Sequence, residues 1–398
     1  RMSAVKVIGR LKSIKYVNTL YTIAREDSST RVKREAVSSI GRLRSYEVVD
    51  KLIEMTKDND PKVVCQAIRG LLVFKGTTKV DKTLKALMVH PNEMIKSVIQ
   101  KEYFSNSDIK KSLLKHTESH SFMQNVVVNA DVLETLNCVP DESVHLTFTS
   151  PPYYNARDYS IYKSYQDYLD FLQKVFKETH RITKEGRFLV VNTSPVIVPR
   201  ISRAHSSKRY PIPFDLHTIL VNQGWEFIDD IVWQKPEYSV KNRVGGFQQH
   251  RKPLGYKPNS VTEYLMVYRK KTDKLLDWNI HQYPKDVVED SKVFGNFDTS
   301  NVWFINPKAD KVHSAVFPEE LCKRVIQYYS FKGDLVFDPF GGSGTLSRTA
   351  RSMNRHFFLT EIEKKYVEYM RTLDNSSVFS GKKTQYLTIE EFKNTIIL

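Results

Sequence analysis

Two short loops hold the residues of this 398-residue chain best suited to chemistry. The first, Ser150-Pro151-Pro152-Tyr153, follows the apolar run Val144–Thr149. Consecutive prolines fix the backbone, so carbonyls beside Ser150 keep a set direction. An aromatic amine carries two N–H donors, and the Ser150 hydroxyl and a proline-loop carbonyl can each accept one. That grip draws the nitrogen lone pair out of ring conjugation, toward an electrophile. Tyr153 offers a flat face for a base taken out of its stack.

The second loop runs from Asp338 through Pro339, Phe340, Gly341, Gly342, Ser343 and Gly344 to Thr345, after the apolar Leu335-Val336-Phe337. This pattern predicts a strand, a tight turn and a helix starting at Thr345. Glycines let a ligand approach the backbone, and a helix start presents free N–H groups. No Gly-Lys-Ser/Thr follows, so the loop is not a phosphate-binding P-loop. The next apolar run, Phe357–Leu359, leads into Glu361. An acidic side chain about 20 residues beyond the turn suits a ribose diol. The combination predicts a nucleotide-like cofactor.

Elements able to position these loops are legible around them. Short β-branched or aromatic runs recur at Val126–Val128, Val144–Thr149, Phe188–Val191, Phe227–Val232, Glu263–Tyr268, Leu335–Phe337 and Phe357–Leu359. Between them lie helical stretches at Tyr165–Arg181, Pro213–Gln223, Pro318–Ser330 and Gly344–Arg351. Alternation of this kind predicts an α/β fold with a mostly parallel sheet covered on both faces. Ligands then sit at the carboxyl ends of the strands. The stretches Pro195 to Pro213 and Lys271 to Ser300 read as loops or insertions.

The first quarter of the chain is different. Ala4-Val5 with Ile8-Gly9-Arg10-Leu11 returns as Ala36-Val37 with Ile40-Gly41-Arg42-Leu43, and more loosely at Val63, Ala67-Ile68 and Leu71-Leu72. A further echo is Met94, Val98-Ile99. Apolar positions within each copy follow helical spacing. Asp58-Asn59-Asp60-Pro61 and His90-Pro91-Asn92 interrupt the helices. Stacked helical hairpins are expected, and the pattern resembles HEAT repeats.

Composition narrows the partners. The formal net charge is +16. Residues 1–115 hold 24 Lys+Arg against 12 Asp+Glu, and residues 200–271 hold 13 against 6. The excess sits in two blocks, as expected of surfaces facing phosphate. Within the second block, Lys235, Lys241, Arg243, Arg251, Lys252 and Lys257 are interleaved with Tyr238, Phe247 and Tyr256, a mixture suited to phosphates and stacked bases. Arg200, Arg203, Lys208 and Arg209 extend it. A solvated loop is the plainer reading of the same residues. The three cysteines, Cys65, Cys138 and Cys322, form no CxxC pair, so neither a disulfide framework nor a zinc site is expected, and no metal cluster is spaced for ligation. No run of 18 or more apolar residues predicts a membrane span, and a cytoplasmic setting is expected.

As a set, these motifs resemble the DNA amino-methyltransferases that act on cytosine N4 or adenine N6, in the permuted, beta-like class where the catalytic loop precedes the cofactor loop. The resemblance covers about residues 124–372. It implies a Rossmann-like S-adenosylmethionine-dependent sheet over 119–398, with a helical repeat domain over 1–118. It implies that Ser150, Pro151, Pro152 and Tyr153 are catalytic. Asp131, Ser314, Phe317, Asp338, Phe340, Gly342, Gly344, Thr345 and Glu361 would hold the cofactor, although Ala130 stands where the family has glycine before Asp131. Glu263 falls where the family has an acidic residue in a later strand, and residues 271–312 would be a target-recognition insertion. The implied partners are double-stranded DNA and a cognate restriction endonuclease. The serine-type motif is associated mainly with cytosine N4. Adenine N6, an RNA or protein methyltransferase, and a non-catalytic DNA-binding repeat scaffold stay open as alternatives. A carbon-5 mechanism is not supported, because no cysteine follows a proline.

Overall fold

The computed structural model describes residues 1–104, 116–154, 162–198, 204, 207–240, 253–254, 258–308, 318–375 and 383–397. The chain divides into two compact units, Arg1–Ser112 and Leu113–Leu398.

The first unit is helical: α1 (Met2–Arg10), α2 (Val17–Glu26), α3 (Thr30–Arg42), α4 (Val49–Met55), α5 (Pro61–Leu71), α6 (Thr78–Ala86) and α7 (Glu93–Ile99). The sequence interruptions are helix starts. The Asp60 carboxylate accepts the Lys62 N–H at 2.7 Å with Pro61 in the first turn, and Asn92 accepts the N–H groups of Met94 and Ile95. Side-chain caps of this kind satisfy donors that the helix leaves unpaired. Val5, Ala36, Val37, Ile40, Val63, Ala67 and Ile68 are buried in one core. The repeated glycines explain the repeat. A Cβ on Gly41 would lie 3.0 Å from the Gly70 Cα, and one on Gly9 would lie 2.1 Å from the Ser39 Oγ. They are the close crossings of α1 on α3 and of α3 on α5. The third copy therefore keeps its glycine as Gly70, two residues after Ile68, a match that the apolar positions alone do not display.

The second unit is built on a nine-stranded sheet. Its elements are β1 (Val126–Asn129), α8 (Val132–Leu136), β2 (Val144–Thr149), α9 (Tyr165–Ile182), β3 (Thr183–Thr193), β4 (Val196–Val198), β5 (Lys208–Tyr210), α10 (Ile212–Asn222), β6 (Trp225–Gln234) and β7 (Thr262–Lys270). They continue with α11 (Leu276–His281), α12 (Lys285–Asp290), β8 (Val302–Phe304), α13 (Glu319–Tyr329), β9 (Leu335–Asp338), α14 (Thr345–Ser352), β10 (His356–Thr360), α15 (Lys364–Asn375), β11 (Gln385–Thr388) and α16 (Ile389–Ile397). The sheet order is β11-β1-β10-β9-β2-β3-β7-β6-β8, and β4 pairs with β5 separately. Among the described strands of the large sheet, only β7 runs against the others, pairing antiparallel with β3 and β6. The sheet is thus mostly parallel, as expected, with one reversed strand that makes it mixed. The cause is local: β6 and β7 are sequence neighbours that pair directly, without a crossover helix.

The central strands are buried along their whole length, as the apolar runs require. Val127, Leu146, Val190, Val336, Phe357 and Leu359 share one core with α13 and α14. Phe148 belongs to it, while Phe337 and Phe358 face a second core with Phe392. The stretch after Lys271, expected as a loop or an insertion, contains α11 and α12. Asn279 of α11 bonds Glu185 O at 3.0 Å and Arg269 at 3.0 Å, at the start of β3 and the end of β7. Tyr283 donates to Asp334, which also pairs with Arg187 in a fully buried cluster. This helical half of the stretch is thereby fastened to the sheet edge opposite Ser150. Among the described residues no helix is long and apolar enough to cross a membrane.

The crossing of α3 on α5 leaves no room for a methyl group. Gly41→Ala should therefore cost about 1–3 kcal/mol through overpacking, read as a lower urea midpoint of the helical unit's transition.

Candidate active site

Sheet order sets the site. β2 lies between β9 and β3, so the loops leaving β2 and β9 emerge side by side at the carboxyl edge. Thr149, the last residue of β2, donates its hydroxyl to Asp338 Oδ1 at 2.7 Å. The same oxygen accepts the Phe340 N–H at 3.0 Å. Asp338 is 1% exposed, and burial pushes its carboxyl up to about 6, against the pull of those two donors. Its Oδ1 holds the glycine loop against the Ser150 loop. Tyr153 and Phe340 pack against the same apolar cluster, around Tyr154, Tyr168 and Leu172.

The glycine turn follows. Gly342 and Gly344 adopt φ of +51° and +72°, left-handed values that favour glycine. A Cβ on Gly344 would also strike the Met370 side chain at 2.5 Å. Gly344 caps α14, so Thr345 opens the helix as expected. Glu361, just past β10, accepts the Gly342 N–H at 2.7 Å through Oε2 and the Glu363 N–H at 2.8 Å through Oε1. It is buried, and desolvation lifts its carboxyl to about 7. Asn129 at the end of β1 donates to Glu361 O at 2.8 Å, which brings a third strand end to the same corner. Asp131 caps α8, accepting from the N–H groups of Leu133 and Glu134, and is exposed.

On the other side of Ser150 is a polar cluster. Glu263 is the second residue of β7, and because β7 is reversed its N-terminal end lies at the carboxyl edge of its neighbours. Tyr153 donates its hydroxyl to Glu263 Oε2 at 3.0 Å, and Asn192 Nδ2 donates to the same oxygen at 2.7 Å. The Lys235 ammonium bonds Oε1 and stands 4.3 Å from the centre of the Trp233 ring. Burial, and then the Glu263 charge, push the Tyr153 phenol well above its ordinary value. Asn192 Nδ2 also stands 3.5 Å from Ser150 Oγ. Asn192 is 3% exposed, and its buried Oδ1 has no hydrogen-bond partner among the described residues. A buried orphan acceptor costs free energy until a donor reaches it.

The structure therefore brings together Ser150, Pro151, Pro152, Tyr153, Asp338, Phe340, Gly342, Gly344, Thr345 and Glu361. Asp131 sits near the same edge but spends one oxygen as a helix cap. Lys235 is spent inside the cluster: its charge faces Glu263, where sequence placed it toward phosphate. Ser314, Phe317, Lys241, Arg243, Arg251, Lys252 and Lys257 lie outside the described residues, as do Arg200 and Arg203. Sequence reasoning missed Asn192. The available signal was a lone polar side chain ending the apolar run Phe188–Val191, as Ser150 ends Val144–Thr149.

Fold and site define an α/β protein with a glycine-turn corner and an adjoining proline loop at one sheet edge. Residues 144–372 match the N6/N4 DNA methylase family, and residues 17–101 match HEAT repeats. The chain belongs to the N6/N4 DNA methylase family. Among its relatives, the type II methyltransferase M.ScaI of Streptomyces caespitosus is 29% identical over 69% of this chain and 84% of its own length. M.Cfr9I of Citrobacter freundii is 28% identical over 66% of this chain and 92% of its own. The type II beta methyltransferase M.BslI of a Bacillus species is also 28% identical over 66% of this chain, yet the match spans only 28% of that protein. The chain likewise covers 35% of M.MwoI of Methanothermobacter wolfeii. A crystal structure from Thermus thermophilus, assigned as a DNA modification methylase, superposes with a TM-score of 0.51 at 25% identity, over 67% of this chain and 99% of that one.

The bond from Thr149 favours the charged form of Asp338. Thr149→Val should lower stability by about 1–3 kcal/mol at pH 8, where Asp338 is ionised. The loss should shrink at pH 5, below the folded value near 6, where the carboxyl is protonated. Urea denaturation at the two pH values checks this.

Proposed function

We propose that this chain methylates DNA, moving the methyl group of S-adenosylmethionine onto the exocyclic N4 amine of cytosine, in a restriction-modification setting. The observation that carries the reading is the placement of the Ser150 loop beside the glycine loop, with the Asn192 amide nitrogen 3.5 Å from Ser150 Oγ. Family membership and the type II relatives support DNA as substrate. The serine-type loop favours cytosine over adenine.

The residues fit the cofactor. Glu361 and the Gly342 backbone form a corner suited to a ribose diol, and the glycine turn admits a ligand that a side chain would block. Phe340 and Asp131 stand at the same edge, and Ser314 and Phe317 complete the proposed set. When bound, the cofactor supplies an electrophilic methyl group on sulfur. This chain's own residues then hold the acceptor. Ser150 Oγ and a proline-loop carbonyl accept the two amine hydrogens, and the Asn192 amide, held by Glu263, stands 3.5 Å from Ser150 Oγ through its Nδ2. That arrangement aims the nitrogen lone pair and supplies the positioning on which a direct displacement depends. Tyr153 is anchored by its hydroxyl to Glu263, which leaves its ring as a fixed wall for a flipped base.

Two measurements test this. Ser150→Ala should lower kcat for labelled methyl transfer to DNA by about 10²-fold or more, the usual cost of one oriented polar contact to the reacting group. Nucleoside mass analysis of the product should show N4-methylcytosine, and N6-methyladenine would overturn the base assignment. The second measurement concerns Glu361. Ribose hydroxyls donate best to its ionised form, so S-adenosylhomocysteine should bind more tightly as pH rises through about 7. In Glu361→Gln that rise should vanish in calorimetric titrations.

A further inference from the structure

The helical unit carries a feature that methyl transfer does not use. Arg31, Arg34 and Ser38 lie at i, i+3 and i+7 on α3, so they share one helix face. Gln66 and Arg69 lie at i and i+3 on the neighbouring α5. These residues line a hollow of about 320 Å³. Its one carboxylate, Glu35, is turned to Arg42 at 3.1 Å. Among the described residues Arg31, Arg34 and Arg69 make no ion pair, and the Nε of Arg34 is buried without a hydrogen-bond acceptor. A guanidinium N–H shut away from water without an acceptor is costly, and a ligand oxygen relieves that cost.

Three unpaired guanidinium groups around one hollow select an oxyanion, whose geometry matches the arginine fork. Among the described residues no aromatic side chain lines the hollow, so it offers no stacking platform for a base. The surplus of 24 basic over 12 acidic residues in 1–115 extends beyond the hollow, which suits a long polyanion better than a small one. We propose that Arg31, Arg34 and Arg69, with Gln66 and Ser38, form a phosphodiester-binding site by which the helical repeats grip the DNA backbone without reading its sequence. This inference rests on DNA being the substrate.

The test uses the full chain and a labelled DNA duplex, with anisotropy read between about 50 and 200 mM salt. The triple variant Arg31→Ala/Arg34→Ala/Arg69→Ala should bind at least about ten-fold more weakly, and the slope of log K against log salt should fall by about 2 to 3, at about 0.9 per lost phosphate contact. Its kcat at saturating DNA should stay unchanged. Lys82→Ala, an exposed charge on α6 outside the hollow, should leave the slope as it was. If the triple variant fails to fold, Arg69→Gln alone should lower the slope by about 1. An unchanged slope in a folded variant overturns the proposal while leaving the DNA reading intact. A melting shift with inorganic phosphate that the variant loses, combined with an unchanged DNA slope, marks a small-anion site and also overturns it. A slope loss confined to an RNA duplex does the same. If the unaltered chain binds no DNA, the substrate reading itself fails.

Discussion

A single buried hydrogen bond, from the Thr149 hydroxyl to Asp338, ties the proline loop to the glycine loop. Both residues end adjacent strands, and both are essentially closed to water. In that setting a carboxylate cannot remain without donors, so Asp338 must take the Thr149 hydroxyl and the Phe340 N–H. Those two donors come from different loops, and satisfying one buried charge aligns them both. The distance between Ser150 and Gly342 is therefore set by the core and not by surface loops.

The polar cluster on the far side follows from the reversed strand. A β7 parallel to its neighbours would deliver Arg269 or Lys270 to the Ser150 edge. Running the other way, it delivers Glu263, and the acid then gathers Lys235, Tyr153 and Asn192. The same reversal sends Arg269 to the opposite edge, where it bonds Asn279. One change of strand direction thus sorts an acidic group to the Ser150 edge and a basic group to the opposite edge.

Much of this was legible in the residues. The strand runs, the helices at Tyr165 and Pro318, the glycine turn and Glu361 are local patterns, governed by periodicity and turn chemistry that act over a few residues. The direction of β7 was not legible, because an apolar strand run reads the same either way. Asn192 escaped because one polar residue after an apolar run is common, and only its neighbours across the sheet make it notable. Lys235 looked like its basic neighbours in sequence, and only the cross-strand pairing of Trp233 with Glu263 shows where its charge goes. Gly70 was hidden for a related reason: helix crossings depend on which faces meet, and apolar spacing shows only that a face exists.

The join between Thr149 and Asp338 spans nearly 190 positions of chain, yet it is made by side chains at the tips of touching strands. Peptide connectivity between the two loops adds nothing to their alignment. Evolution is accordingly free to cut the polypeptide in one place and splice its ends in another, and the order in which a ribosome delivers the two loops carries no information about the corner they form.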